Sequence, residues 1–283
     1  MQTVALRALL IIACVGSTVG LTAQQTLSGV ISDSTCGASH AAIAGPAGMT
    51  DRECAFYCLK ALAKFVLVDG AGKVVPIANQ DFAGLPLRFA RPVRLTGQMT
   101  EDGLVISRIE PPLLHAHIGH VMTAWRDTPG AVGFLTVAVS DARVAAAHAL
   151  LTSKSTDNLP DMKLHAGHVL HALEPTLEAK GPASGYGTKK AAAGALQHVG
   201  FAAGVEGASP TVKGHATVVS AKLNDTIATI DRAIAAAQSI RAAASAGDAS
   251  TLSGELLSLT TQIGDGLQQA QQEMRMMMKA EGL

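Results

Sequence analysis

The sequence predicts an α+β protein of two domains: a small OB-like β-barrel over residues 24–110, followed by an all-α, histidine-rich helical bundle over residues 111–283. Three observations lead to this prediction. The earlier part alternates β-rich runs with turn residues, the later part is alanine-rich with few strand signals, and Glu110-Pro111-Pro112 interrupts the pattern between them. A length of 283 residues is enough for two ordinary domains.

Charge and motifs exclude several classes of protein. Lys+Arg and Asp+Glu both total 22, which gives a formal net charge of zero. Because a phosphate backbone is held by a basic surface, we expect no nucleic-acid partner. The chain has no P-loop, GxSxG, HExxH or CxxCH motif. The sequence thus indicates a binding or structural protein rather than an enzyme.

The first 23 residues have the pattern of a secretory signal peptide. Arg7 gives a positive start, an apolar run covers residues 8–19, and Ala23 ends a small-residue cleavage site. Lipidation at Cys14 is the less favoured alternative. No later segment approaches the roughly 20 uninterrupted apolar residues of a membrane span. We therefore expect a periplasmic or secreted protein whose mature chain does not cross the membrane.

Residues 24–110 carry the barrel prediction. A capping box from Thr50 to Glu53 opens a short helix, and turn residues at 69–72 and 101–103 indicate hairpins. Five strands with one helix favour a small barrel of the oligomer-binding type. The predicted strands cover residues 27–32, 64–69, 74–78, 93–99 and 104–109.

Three parts of this domain carry a resemblance: the run Ser28–His40, the run Met49–Cys54 with Cys58, and the strand Lys64–Val68. Together they resemble an uncharacterised small secreted bacterial domain. The resemblance covers residues 26–110 and implies no activity.

Three cysteines remain once Cys14 leaves with the signal peptide, an odd number for an exported protein. Cys54 and Cys58 lie on one helical face at i, i+4, and with Cys36 and His40 they could form a Cys₃His metal site. The alternative is a disulfide from Cys36 to Cys54 or Cys58, with one spare thiol. The oxidising compartment favours the disulfide.

The helical domain contains an internal repeat. Pro112, Pro160 and Pro210 are each followed five residues later by histidine and sixteen residues later by threonine. We predict three repeats, about 112–159, 160–209 and 210–283. The predicted helical hairpins are 112–126/132–153, 160–173/186–204 and 210–246, with a last helix over 248–281.

Nine of the ten histidines lie in this domain. Five of them could share one layer at one end of an up-and-down bundle, with His148 level with His165 and His198 level with His215. Neutral imidazoles gathered in this way suit copper, nickel or zinc ions, or haem b. The candidate metal ligands are His117, His120, His148, His165, His168, His171, His198 and His215.

The sequence therefore favours an exported protein that binds a transition metal or b-type haem for storage, delivery, sensing or electron transfer. The alternative is a metal-free structural or interaction module of the cell envelope with a protein partner. Met274 and Met276–Met278 either bind Cu(I) or fill the bundle core.

Overall fold

A computed structural model describes residues 23–39, 50–206, 208–281 and 283. The predicted signal peptide, apart from Ala23, and the candidate ligand His40 lie outside the described residues. The chain divides into two compact units between Glu110 and Pro111. Its described part is α+β, with one antiparallel sheet in the first unit and six of the seven α-helices in the second.

The first unit is a five-stranded sheet with the strand order β3-β2-β1-β4-β5 and one helix, α1. Its core is formed by side chains such as Ile31, Leu67 and Leu95, all fully buried. The elements are β1 Gln25–Asp33, α1 Asp51–Lys60, β2 Phe65–Val68, β3 Val74–Pro76, β4 Pro92–Thr100 and β5 Gly103–Glu110.

Both predicted hairpins of this unit are confirmed, because β2 pairs with β3 and β4 with β5. Gly103 closes the second hairpin with a φ of +120°, and a side chain there would collide with the carbonyl of Pro76. The predicted OB-like barrel is not confirmed, since the sheet is not closed. Strand β3 has only three residues, one of them a proline without an N–H, and beyond its end Ile77 forms one isolated bridge with Leu104 of β5.

The second unit is helical and has an alanine-rich core. Met274 and Met277 are fully buried in that core, so these two methionines have a packing role. The helices are α2 Leu113–Met122, α3 Phe134–Lys154, α4 Leu159–Leu173, α5 Thr188–Gly204, α6 Pro210–Ala242 and α7 Ala246–Ala280.

The third predicted hairpin is wrong, because residues 210–242 form one continuous helix of 33 residues. This stretch contains good helix formers and no internal turn sequence, and the chain reverses only where Ser245 caps α7. The recurring threonines also have different roles. Thr128 donates to the carbonyls of Trp125 and Val132, whereas Thr226 donates to a carbonyl within its own helix. The repeat is therefore not supported as three equivalent hairpins.

The helices of the first predicted repeat pack mainly against helices of the second. Helix α2 packs against α5 and α3 packs against α4, while α4 and α5 make little contact. Buried Asp141 on α3 explains where α5 begins, since its carboxylate accepts hydrogen bonds from the N–H groups of Ser184 and Gly187. The connection over 174–187 thus carries the chain to α3, and the positive end of α5 meets a carboxylate.

One described helix, Phe134–Lys154, is long and apolar enough to cross a membrane by length and composition. Half of its most apolar window is buried within the structure.

Candidate metal centres

The first candidate centre is the α2–α5 triad, which consists of His117, His120 and His198. His198 projects from α5 between the two histidines of α2. Its Nδ1 atom lies 3.1 Å from Nδ1 of His117 and 3.2 Å from Nδ1 of His120. The i, i+3 spacing places both α2 side chains on the face that meets α5. Three ring nitrogens therefore converge on one point.

Aromatic rings surround the α2–α5 triad. Trp125 lies 4.6 Å from the His120 ring and 5.0 Å from the His198 ring, measured between centroids. Phe134 and Phe201 lie 5.4 and 5.5 Å from His198. These three aromatic side chains make this triad an enclosed site. His198 is only 7% exposed.

The second candidate centre is the α3–α4 triad, which consists of His148, His165 and His168. His148 on α3 is the central member, with its Nδ1 atom 3.0 Å from Nδ1 of His165 and 3.3 Å from Nδ1 of His168. All three side chains are half-buried. His168 also borders a surface cleft of about 470 Å³, so this triad is the more open of the two.

A carboxylate lies next to one ligand of the α3–α4 triad. Asp161 Oδ1 lies 3.7 Å from Nε2 of His165, on the side of the ring that faces away from the other histidines. Ser155 donates a hydrogen bond to the other oxygen of Asp161, which holds the carboxylate in place. A carboxylate that accepts a hydrogen bond from the far ring nitrogen orients a metal-bound histidine and raises its basicity, and Asp161 lies just beyond that distance from Nε2 of His165. The i, i+4 spacing of Asp161 and His165 is a signal that the sequence analysis missed.

Burial favours the neutral form of five of the six triad histidines. Burial, together with the neighbouring His120 and His117, lowers the pKa of His198 to about 4. Burial is also the main cause that lowers the pKa of His117, His120, His148 and His168. Since only neutral imidazole coordinates a metal, these histidines are in the ligating form at neutral pH.

The structure brings six of the eight predicted histidines into two triads and leaves two apart. His171 donates from Nδ1 to the carbonyl of Glu178, and His215 donates from Nδ1 to the carboxylate of Glu273. The predicted proximity of His148 and His165 is confirmed. His198 contacts His117 and His120 of α2, whereas His215 contacts Glu273 of α7, so His198 and His215 do not form a pair like that of His148 and His165.

The three described cysteines converge in the first unit. Cys36 Sγ lies 3.8 Å from Cys54 Sγ and 3.5 Å from Cys58 Sγ. The predicted disulfide is wrong for this structure, because a disulfide requires about 2.05 Å between sulfurs and all three thiols are free. Burial raises the pKa of the Cys36 and Cys58 thiols. We call Cys36, Cys54 and Cys58 the cysteine cluster.

The comparisons with known proteins give no family assignment. No protein-family model, no curated protein and no solved structure matches this chain. The geometry of these sites defines a two-unit α+β protein with groups of histidine and cysteine ligands that could hold metal ions.

Proposed function

We propose that this is an exported protein that holds transition-metal ions at two three-histidine sites and serves in metal storage or delivery. The observation that carries the proposal is the convergence of two separate sets of three imidazoles. Export is part of the proposal because of the signal-peptide pattern of residues 1–23.

The nitrogen spacing supports bound ions. A metal with ligands at about 2.0–2.1 Å sets neighbouring nitrogens about 3.3–3.4 Å apart in a tetrahedron, or about 2.8–3.0 Å apart in an octahedron. The Nδ1 distances to His148 and His198 run from 3.0 to 3.3 Å, within that interval. Zinc, copper and nickel all accept imidazole nitrogen.

The same spacing argues against haem. Two axial histidines bind one haem iron from opposite faces of the porphyrin. Nitrogens 3.0 Å apart, as in His148 and His165, approach one point from the same side and leave no room for a macrocycle between them. A bare ion is therefore the better-supported cofactor.

Three protein ligands leave at least one coordination position open, which permits transfer of the ion to another molecule. The same donor number occurs in catalytic zinc sites. The α2–α5 triad has aromatic rings around it, and no described carboxylate lies within ion-pair distance of its histidines. The absence, among the described residues, of a neighbouring carboxylate that could act as a general base favours storage or delivery over catalysis at this triad.

Metal titration of the mature, chelator-treated protein tests this proposal. With its thiols alkylated, the protein should bind about two equivalents of Zn²⁺ or Co²⁺. His198→Ala and His148→Ala should each remove one equivalent, whereas His215→Asn should leave both, because His215 contacts Glu273 instead. If the wild-type protein binds no ion, or if both alanine variants retain two, the triads are structural and the proposal fails.

A further inference from the structure

We propose that the cysteine cluster is a separate site for a thiophilic divalent ion such as Zn²⁺, with ligands from Cys36, Cys54 and Cys58. It lies in the first unit, so the inference is independent of the two histidine sites in the second.

The sulfur distances fit a metal better than a disulfide. A tetrahedral ion with metal–sulfur bonds of about 2.3 Å separates its sulfurs by about 3.8 Å. The observed separations from Cys36 are 3.5 and 3.8 Å, and all three sulfurs lie within 4.8 Å of one another. A disulfide would use two of these thiols and leave the third without a partner sulfur.

The helix α1 supplies two of the ligands. Cys54 and Cys58 stand one turn apart on its buried face, with 5% and 3% exposure. The capping box is formed as the sequence predicts: the Thr50 hydroxyl accepts from the Glu53 N–H, and the Glu53 carboxylate accepts from the Thr50 N–H. This cap fixes the start of α1 at Asp51, three residues before Cys54.

The turn after β1 supplies the third ligand. Asp33, which is fully buried, accepts hydrogen bonds from the N–H groups of Thr35 and Cys36 at 2.9 and 2.8 Å. Gly37 follows in the left-handed region with a φ of +57°. The backbone around Cys36 is thus held before any ion binds, which lowers the ordering cost of coordination.

The charge balance favours a divalent ion over a monovalent one. Three thiols release three protons when they bind as thiolates, so they place three negative charges around the ion. A divalent ion offsets more of that charge than Cu⁺ does. Cys36 is the most exposed of the three, so the ion enters from its side.

Cobalt substitution tests the site in the full mature chain, reduced and freed of metal. Co²⁺ bound by thiolate absorbs strongly in the near ultraviolet through sulfur-to-cobalt charge transfer, whereas Co²⁺ bound by histidine does not. We expect this band in the wild-type protein and in the His148→Ala/His198→Ala double variant, and its loss in Cys36→Ser. Zn²⁺ should remove the band and should protect all three thiols from iodoacetamide.

Several outcomes would overturn the inference. One is a reduced wild-type protein without the charge-transfer band, and another is a Cys36→Ser variant that keeps it at full intensity. A metal-free disulfide among these cysteines in protein freshly isolated from the export compartment would also exclude the site. If Cys36→Ser loses its helical circular dichroism, alkylation of the wild-type thiols with and without Zn²⁺ decides the question. If the histidine sites fail and the cysteine site does not, the wild-type protein should show the sulfur-to-cobalt band but should not bind two further equivalents of metal.

Discussion

The two histidine triads have the same donors in different surroundings. Each joins an i, i+3 pair on one helix to a single histidine on another, with that single histidine at the centre. Aromatic rings enclose the α2–α5 triad, whereas the α3–α4 triad has Asp161 near His165 and a surface cleft beside His168. The donor set determines which ions can bind, and the surroundings determine how tightly and how quickly they exchange.

The largest expected effect is the stabilisation by metal. An ion at about 100 times its Kd adds about 2.7 kcal/mol to the free energy of unfolding for each independent site. We expect Zn²⁺ to raise the melting temperature of the thiol-alkylated protein by roughly 5–10 °C per site. The double variant His148→Ala/His198→Ala should show no such rise, because it lacks the central ligand of both triads. An equal rise in that variant would show that zinc acts elsewhere.

The next expected effect separates the two triads by the groups beside their ligands, since Asp161 lies next to His165 of the α3–α4 triad. Asp161→Asn removes the carboxylate behind His165 and should weaken binding at the α3–α4 triad about 10–100-fold. Calorimetric titration in the His198→Ala background isolates this triad. The matched control is Asp161→Asn in the His148→Ala background, where the remaining α2–α5 site should keep its affinity. A loss in both backgrounds would indicate a general change in folding.

Exchange kinetics should differ as well. Phe201 is half exposed and packs beside His117 and His198, so Phe201→Ala opens the α2–α5 triad to solvent with little loss of core. We expect release of Co²⁺ to a chelator to accelerate about tenfold at this triad, equivalent to about 1.4 kcal/mol. Release from the α3–α4 triad should not change. Equal release rates from the two wild-type triads would contradict the distinction between an enclosed and an open site.

The remaining expected difference is in the response to acid. The pKa of His198 is lowered to about 4, so the unfolded chain binds more protons than the folded one between about pH 6.5 and 4. The metal-free protein should therefore lose stability as the pH falls through that window, as denaturant melts can measure. His198→Gln should flatten this dependence, and an unchanged slope in that variant would assign it to other groups.

The local order of elements could be predicted from the sequence. The capping box at Thr50, the hairpin glycine at 103 and the start of α6 at Pro210 all act through backbone groups within a few residues, and each lies where the pattern predicts. Whether a sheet closes into a barrel depends on the pairing of strands that are distant in the chain. Composition and spacing therefore could not show that this sheet stays open.

The sequence by itself determined the histidine content, the i, i+3 pairs on α2 and α4, and the three cysteines that follow the predicted signal peptide. Only the tertiary structure decided which single histidine completes each pair. Buried Asp141 of α3 accepts hydrogen bonds from N–H groups just before α5 and so holds the start of α5 beside α3. In this arrangement His198 of α5 meets α2, while His148 of α3 meets α4. The physical reason is that helix spacing fixes which side chains share a face, whereas packing of distant helices fixes which faces meet.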